Sequence, residues 1–301
     1  MTTDTPIRVV AIIGCGEAGA ILGVDLAAAG LDVVTYDILF DSPDSREAML
    51  SKALAHRLRA AGSTGAAIAG AHLVICAVTA TSSPEVAAEA AKSLRAGQFF
   101  LDINSVSPAT KHANFEIVTR TGADYVEAAV MAPVPPQRLK VPMLLGGPRA
   151  ADLATALRKL GMNASAISER IGVASAVKMC RSVVIKGIEA LAVESMLAAR
   201  RFGAEQEVLE SLDKTFPGMG WLDKLPDYLI SRVAEHGRRR AAEMREVART
   251  LEGVGIEPTM ALASAERQDR LIDAMAAHGV TYPGDRVFSW RALADALKER
   301  T

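Results

Sequence analysis

The chain has 301 residues, of which 50% are hydrophobic and 23% are charged, and this balance excludes wholesale disorder. Its length predicts two domains or one large domain. The formal net charge is −1 and aromatic residues make up only 4% of the chain, so the composition argues against nucleic acid as a partner, which requires a basic surface or an aromatic stacking platform.

The first half of the chain alternates between two sequence patterns. Short β-branched runs predict buried strands, and alanine-rich stretches with helical spacing predict the helices between them. The predicted strands are 7–13, 32–36, 73–78, 99–103, 124–130, 142–145 and 164–167. The predicted helices are 18–29, 46–60, 84–94, 107–120 and 150–160. Strands that alternate with helices predict parallel βαβ units.

From residue 172 onward the pattern becomes helical throughout. A long helix is predicted over 173–201, followed by helical segments at 205–215, 220–235, 238–251, 258–278 and 285–299. Glycine and proline separate these segments, as they do between helices. The sequence therefore predicts an α/β domain over residues 1–170 and an all-helical domain over residues 171–301.

The strongest local signal is a G-x-G-x-x-G motif between the first predicted strand and the first predicted helix. It consists of Gly14, Cys15, Gly16, Glu17, Ala18 and Gly19. In this strand–turn–helix context the motif is typical of a Rossmann-type, doubly wound dinucleotide-binding sheet. The first glycine allows the tight turn, the second lets the backbone approach a pyrophosphate, and the third lets helix and strand pack closely. A glycine-rich turn without a ligand is the alternative.

Asp37 ends the second predicted strand, where an acidic residue accepts hydrogen bonds from the adenosine ribose. A carboxylate at this position repels a 2′-phosphate and therefore favours NAD as the cofactor. Arg46 follows closely enough to bind such a phosphate, so NADP remains possible. The alternative is an ordinary loop aspartate.

Three further residues end the next predicted strands at the same sheet edge: Val78, Thr79 and Asn104. Ligands bind at the carboxyl edge of doubly wound sheets. We therefore expect these residues to flank the nicotinamide half of the cofactor.

The long predicted helix is apolar almost all round, which predicts that it is buried. Lys178, Ser182, Lys186 and Glu189 interrupt it, and at ~100° per residue they fall within a stripe about 80° wide. Charges on a buried helix need partners or a water-lined cavity. The stripe therefore indicates the wall of a cleft, although Glu189 could simply neutralise Lys186.

Lys178 is the candidate catalytic residue. Hydride transfer at a carbinol carbon requires a base for the hydroxyl proton, and the reverse reaction requires an acid. A lysine can serve when desolvation and a neighbouring cation, here Arg181 or Lys186, lower its pKa. The alternative is a lysine whose stem packs on the core while its ammonium reaches water.

In four successive stretches the chain resembles the β-hydroxyacid dehydrogenases, which include 3-hydroxyisobutyrate dehydrogenase and relatives of 6-phosphogluconate dehydrogenase. Residues 12–30 are similar to the dinucleotide fingerprint, and 102–108 (DINSVSP) to the family's D-x-S-T-x-S-P segment. Residues 127–147 lie where the family has D-A-P-V-S-G-G, and 172–182 where it has G-x-G-x-x-x-K-x-x-N-N. The resemblance implies a nicotinamide-dependent dehydrogenase with Lys178 as acid/base, and a homodimer built with the long helix.

The chain departs from the family in its substrate loop and after the lysine. Met131, Ala132 and Pro133 replace Ser-Gly-Gly, and proline has no N–H to offer a substrate carboxylate. Arg181 and Ser182 replace the paired asparagines. These departures argue against a plain small 3-hydroxy acid and leave room for a C=N substrate. The expected substrate is a hydroxy acid or a sugar-acid-like compound that carries negative charge. The candidate substrate-binding residues are Ser105, Met131, Ala132, Arg181, Ser182, Lys186 and His236.

The helical remainder resembles a divergent C-terminal domain of unassigned function that is attached to phosphogluconate-dehydrogenase-like proteins. His236 and the arginines that follow it could bind an anionic substrate, or could form a solvated helix with charged pairs. Two other functions remain open for the whole chain. One is an imine reductase on the same fold, and the other is a non-catalytic sensor of nicotinamide cofactors.

Metal sites, membrane spans and export signals each have a characteristic sequence pattern. Cys15, Cys76 and Cys180 lie in apolar or small-residue runs, typical of reduced and packed thiols, and neither they nor the five scattered histidines have metal-ligand spacing. No run reaches the length of a membrane span, and the first residues do not have the pattern of an export signal. We therefore expect a cytoplasmic protein without a metal site or a membrane partner.

Overall fold

The computed structural model describes residues 6–284 and 287–298. The chain divides into two compact units, Met1–Lys178 and Met179–Thr301. The first unit is a layered α/β structure and the second is helical, so the predicted fold class is confirmed.

The first unit contains an eight-stranded sheet with the order β3-β2-β1-β4-β5-β6-β7-β8. Its strands are β1 (Val9–Ile13), β2 (Asp32–Tyr36), β3 (Arg59–Ala60), β4 (Leu73–Cys76), β5 (Phe99–Asp102), β6 (Asp124–Val130), β7 (Met143–Gly146) and β8 (Ala164–Ser168). All neighbouring strands are parallel except β6 and β7, which are antiparallel.

Helices connect the strands of the first unit. They are α1 (Glu17–Ala28), α2 (Arg46–Ala55), α3 (Thr64–Ile68), α4 (Ser83–Ala91), α5 (Pro108–Thr119), α6 (Val134–Gln137) and α7 (Ala150–Lys159). Successive residues of β1 alternate between two hydrophobic clusters, with Val10 and Ile12 in one and Ala11 and Ile13 in the other. Because strand side chains alternate between faces, the sheet is covered on both sides, as expected for a largely parallel sheet.

The structure corrects two of the predictions for this unit. The predicted helix over 46–60 ends at Ala55 because Arg57 adopts a left-handed conformation (φ 57°), which turns the chain so that Leu58 is buried. The edge strand β3 follows. The prediction of parallel units also fails at β7, because only the four-residue α6 and a short 3-10 turn connect it to β6. A parallel crossover usually requires a full helix.

The second unit is formed by helices. Helix α8 (Val173–Phe202) begins in the first unit and continues into the second, and the others are α9 (Glu205–Thr215), α10 (Leu225–Glu252), α11 (Thr259–Ala277) and α12 (Trp290–Ala296). The segments predicted over 220–235 and 238–251 form one helix, α10, with non-helical backbone angles at His236. The ends of the segment predicted over 285–299 lie outside the described residues, and α12 occupies its centre.

Candidate active site

The glycine motif forms the turn between β1 and α1. Gly14 has a φ of +98°, and a Cβ there would lie 2.4 Å from the carbonyl oxygen of Ala77. A Cβ on Gly19 would lie 1.9 Å from the carbonyl oxygen of Gly14. Both positions therefore require glycine for the fold itself.

Gly16 differs from the other two glycines of the motif. A Cβ built on Gly16 would have no heavy atom within 4 Å, so this side of the turn is open. Gly16 is also the N-cap of α1 and provides no side-chain cap, while Glu17 is exposed and Ala18 half-buried. The N–H groups of the first turn and the positive end of the helix dipole suit an anion. These residues fit the pyrophosphate of a dinucleotide.

Asp37 connects the end of β2 to the glycine motif. Its Oδ2 accepts a hydrogen bond from the backbone N–H of Cys15 at 2.7 Å, and its Oδ1 accepts one from the N–H of Leu39 at 3.0 Å. Lys52 donates to the carbonyl oxygen of Cys15 at 3.3 Å. The aspartate carboxylate therefore shapes the turn, and its contact with an adenosine ribose stays a prediction.

Asn104 connects the ends of β4 and β5. Its Oδ1 accepts a hydrogen bond from the N–H of Val78 at 2.7 Å, and its Nδ2 donates to Asp102 at 2.8 Å. Thr79, the next residue along, shares hydrogen bonds with the hydroxyls of Thr81 and Ser82. The three predicted nicotinamide-flanking residues thus lie together at the carboxyl edge of the sheet, and a direct contact with the cofactor stays a prediction.

A buried polar network lies beneath this edge and was not predicted from the sequence. Asp102 and Lys111 are fully buried and form an ion pair at 2.9 Å. Asn114 and Tyr125 donate to the other carboxylate oxygen at 3.1 and 2.8 Å. Burial alone would raise the pKa of Asp102, but Lys111 and these hydrogen bonds hold it below its ordinary value, so the carboxylate is ionised. The only sequence signal for it is an aspartate at the end of an apolar strand.

Lys178 and Ser105 are brought together by the fold. The Nζ of Lys178 donates a hydrogen bond to Ser105 Oγ at 2.5 Å, across 73 positions of sequence. Ser105 lies just beyond β5, beside Asn104, and both side chains of the pair are half-buried. The candidate acid/base therefore lies at the carboxyl edge of the sheet, the edge at which doubly wound sheets bind ligands.

The start of α8 is held by a glutamate that the sequence did not single out. Glu127, at 0% exposure on β6, accepts hydrogen bonds from the backbone N–H groups of Gly172 and Ala174 at 2.7 and 3.0 Å. A longer contact of 3.4 Å joins it to the N–H of Ser175. The glutamate thus caps the helix that carries Lys178.

The substrate loop after β6 makes its own backbone contacts. Met131 and Ala132 are half-buried, and the N–H of Met131 donates to the carbonyl oxygen of Pro142 at 2.9 Å. Pro133 is exposed and precedes α6. The backbone N–H of Met131 is therefore engaged in the antiparallel pairing of β6 and β7 and is not offered to a substrate.

The polar stripe of α8 is paired within the helical unit. Lys186 Nζ donates to Glu243 at 2.5 Å, and Glu189 forms an ion pair with Arg240. Burial lowers the pKa of Lys186, although Glu243 opposes the shift. These partners lie on α10, and Glu189 pairs with Arg240 while its charge also favours the protonated form of Lys186. The charges of Lys186 and Glu189 are therefore balanced within this unit, and their place in the wall of a cleft stays a prediction.

The other predicted site residues of this unit differ in their burial. Ser182 is buried and Arg181 is exposed. His236 lies at the kink of α10, where burial lowers its pKa, and its Nε2 is 3.3 Å from a carboxylate oxygen of Glu235. Cys180 is exposed, so the prediction of a packed thiol is wrong at this position, because it shares an exposed face of α8 with Val177 and Val184.

Across residues 6–284 and 287–298, no cluster of three or more His, Cys, Asp or Glu side chains is placed to hold a metal ion. Within the same residues, none of the helices combines the length and the apolar character that crossing a membrane requires.

The model of the NAD binding domain of 6-phosphogluconate dehydrogenase matches residues 9–165. The chain belongs to this family. A second model, of a domain of unknown function, matches residues 199–271. The resemblance inferred from the four sequence stretches is therefore confirmed, including a C-terminal domain of unassigned function.

Solved structures extend the comparison for this family member. A conserved hypothetical protein from Sinorhizobium meliloti 1021 is 36% identical, with 97% of this chain and 96% of that chain covered and a TM-score of 0.78. The 3-hydroxyisobutyrate dehydrogenase of Mycobacterium tuberculosis, solved with L-serine, is 16% identical over 97% and 99% of the two chains, with a TM-score of 0.72. An imine reductase from Streptomyces aurantiacus is 20% identical over 97% and 100%, with a TM-score of 0.57. The last two show a common fold.

Proposed function

We propose that the protein is an NAD(P)-dependent oxidoreductase that moves a hydride between the cofactor and a hydroxy acid or sugar-acid-like substrate. Lys178 is the general acid/base in this proposal. The observation that carries it is the 2.5 Å contact of Lys178 with Ser105 at the sheet edge that also carries the glycine motif. Membership of the 6-phosphogluconate dehydrogenase NAD-binding family supports the cofactor class.

The proposed chemistry needs one proton transfer from the protein. The nicotinamide, when bound, accepts or returns the hydride. Neutral Lys178 takes the proton of the substrate hydroxyl while the carbinol C–H bond breaks, and the carbinol becomes a carbonyl. In the reverse direction the ammonium of Lys178 returns the proton to the carbonyl oxygen. Ser105 lies at hydrogen-bond distance from Nζ and orients the lysine. Its hydroxyl would also hydrogen-bond to the substrate hydroxyl.

We infer that NAD is preferred over NADP. Asp37 is held by the N–H groups of Cys15 and Leu39 at the end of β2, so its carboxylate cannot swing away freely. A fixed negative charge at the ribose position disfavours a 2′-phosphate. Arg46, exposed at the start of α2, is the residue that would permit NADP.

A substrate screen with Lys178 variants tests the proposal. The wild type is assayed with hydroxy acids and sugar acids and with NAD or NADP, following the absorbance of the reduced cofactor. Replacing Lys178 by Ala is expected to lower turnover about 10²–10⁴-fold while NADH affinity changes little. Lys92→Ala, which removes a lysine that is 71% exposed directly after α4, is the matched control. Unchanged turnover in the Lys178 variant would remove it from the mechanism.

An imine reductase is the second candidate. The chain lacks the family's Ser-Gly-Gly and paired asparagines, having Met131-Ala132-Pro133 and Arg181-Ser182 instead, and its fold is similar to that of an imine reductase. Consumption of NADH or NADPH with mixtures of amines and carbonyl compounds, but not with hydroxy acids, would favour this function. Tight NADH binding without turnover in either assay would favour a cofactor sensor.

A further inference from the structure

Two buried carboxylates lie side by side under the candidate site. Asp102 ends β5 and pairs in register with Glu127 on β6, and both are fully buried. Placing two carboxylates in the interior costs solvation free energy unless each is well hydrogen-bonded. Lys111 neutralises the charge of Asp102. Asp102 also accepts a hydrogen bond from the N–H of Asn104, in the loop after β5 that carries Ser105.

Glu127 holds the start of the helix that carries Lys178, the other member of the candidate catalytic pair. Its Oε1 accepts both short hydrogen bonds from the N–H groups of Gly172 and Ala174. These groups belong to the first turn of α8, where backbone donors have no partner within the helix. The negative charge also lies at the positive end of the helix dipole, which offsets part of the cost of burying it.

The space around Glu127 is closely fitted. A Cβ on Gly146 of β7 would lie 2.5 Å from Glu127 Oε1, so the neighbouring strand leaves room for the carboxylate only because it has glycine there. Gly172 adopts a φ of +93°, which lets the chain turn into α8 directly beside the carboxylate. The glutamate side chain is therefore confined between β7 and the start of the helix.

Lys178 lies one helical turn beyond the capped residues. An α-helix rises 1.5 Å and rotates about 100° for each residue. A shift of α8 by one residue would consequently move the Lys178 side chain by about 1.5 Å along the axis and turn it away from its present direction. Its 2.5 Å contact with Ser105 Oγ would not survive that shift.

We propose that Glu127 is a positioning residue that sets the axial position and rotation of α8, so that Lys178 meets Ser105. The expected effect on catalysis rests on the proposed function of Lys178, whereas the expected effect on the position of Lys178 does not. Asp102 fixes one member of the pair through the β5 loop, and Glu127 fixes the other through the helix start.

The structural consequence can be measured without substrate or cofactor. Wild type and variants are treated briefly with acetic anhydride over a range of pH, and peptide mass spectrometry gives the acetylation of Lys178 relative to that of exposed Lys92. Ser105→Ala removes the lysine's hydroxyl partner and defines the expected change in this ratio. Glu127→Gln replaces one carboxylate oxygen by an NH₂ group that faces a backbone N–H donor, so it is expected to change the ratio in the same direction, and Glu127→Asp by a smaller amount. Glu246→Gln, a buried glutamate of α10, controls for general loosening and should keep the wild-type ratio.

Gly146→Ala provides a second variant that leaves the glutamate in place. Its methyl group would crowd Glu127 Oε1 and displace the carboxylate, so the acetylation ratio should move as in Glu127→Gln. This variant also decides the matter if Glu127→Gln does not fold. A wild-type ratio in folded Glu127→Gln or in Gly146→Ala, when Ser105→Ala changes it, would overturn the proposal.

Kinetics give the catalytic consequence. Glu127→Gln is expected to lower kcat about 10–100-fold, since a misplacement of ~1 Å is costly for a catalytic group. KM and the NADH dissociation constant should change much less, and Glu127→Asp should recover part of the rate. If Lys178→Ala leaves turnover unchanged, the proposed catalytic role of Lys178 fails, while the acetylation result still tests the role of Glu127.

Discussion

The Asp37 carboxylate is hydrogen-bonded to the backbone N–H of Cys15 at 2.7 Å. This contact ties the end of β2 to the glycine turn, so one residue both shapes the pyrophosphate-binding loop and supplies charge beside it. Burial raises the pKa of the Cys15 thiol, which leaves this cysteine neutral and unreactive within the loop. The negative charge at this place is therefore that of Asp37.

Replacing Asp37 by Asn should relax the cofactor preference. Asparagine retains an acceptor oxygen for the turn but removes the charge that repels a 2′-phosphate. We expect the ratio of NADPH to NADH affinity to rise at least about tenfold, equivalent to ~1.4 kcal/mol. Fluorescence titration with both cofactors measures it. Asp32→Asn, at the opposite end of β2, is the control, and an unchanged ratio in Asp37→Asn would show that this charge does not select the cofactor.

Two glycine variants should separate binding from folding. Gly16→Ala places a methyl group in open space, so the apoprotein should keep its melting temperature while NADH affinity falls at least about tenfold, because the methyl occupies the pyrophosphate approach. Gly19→Ala would place a Cβ 1.9 Å from the carbonyl oxygen of Gly14. Such overpacking should cost about 1–3 kcal/mol or more of folding stability.

Differential scanning calorimetry of the apoproteins and NADH titration measure the two effects. Normal NADH binding by Gly16→Ala would place the cofactor elsewhere than at this turn.

The sequence predicted those features of the site whose residues are adjacent along the chain. The glycine motif was recognisable because its glycines, strand and helix adjoin along the chain. Lys178 and Ser105 were each singled out, yet their meeting depends on a fold that joins positions 73 apart. Glu127 could not be recognised, since its partners are backbone N–H groups of a distant helix start, which have no sequence signature.

The stripe on α8 shows the limit of a pattern taken from one helix alone. Lys186 and Glu189 have the spacing of a functional surface, and the sequence of α8 alone gives no indication of their partners. The structure places Glu243 and Arg240 of α10 against them. The same limit applies to β7, whose antiparallel direction depends on the short connection through α6 rather than on its own residues.

Removing Lys111 should destabilise the first unit in a pH-dependent way. Lys111→Met leaves the Asp102 carboxylate buried without its cation, which typically costs 3–5 kcal/mol. In the wild type the pKa of Asp102 is lowered from 3.8, so its contribution is present above that value and is lost as the pH falls through the folded pKa. In the variant, burial without Lys111 should raise this pKa.

The stability deficit of Lys111→Met should therefore be largest at about pH 7 and shrink towards about pH 4, where Asp102 takes up a proton. Urea unfolding across this range measures it, with Lys92→Met as the exposed control. A deficit that does not change with pH would mean that the lost interaction is packing rather than charge.

The ion pair between Glu189 and Arg240 should contribute to stability rather than to catalysis. Glu189→Leu leaves the Arg240 guanidinium, itself 8% exposed, without its carboxylate and should destabilise by about 3–5 kcal/mol. The double variant Glu189→Leu with Arg240→Met should recover most of that loss, because no uncompensated charge remains. Chemical unfolding of wild type, both single variants and the double variant forms the cycle. Additive losses would show that the two side chains are not coupled.

The exposed apolar side of α8 leads to a prediction about assembly. Val184 and Leu191 are 60% and 58% exposed and are seven residues apart, so they lie on the same side of the helix. Exposed apolar side chains that recur on one helix face suit a second helix as their partner. We propose a homodimer formed through this face. Light scattering coupled to size exclusion should give a dimer for the wild type and a monomer for the double variant Val184→Glu with Leu191→Glu. Leu54→Glu, which charges an exposed leucine of α2, should remain dimeric, and a monomeric wild type would contradict the proposed interface.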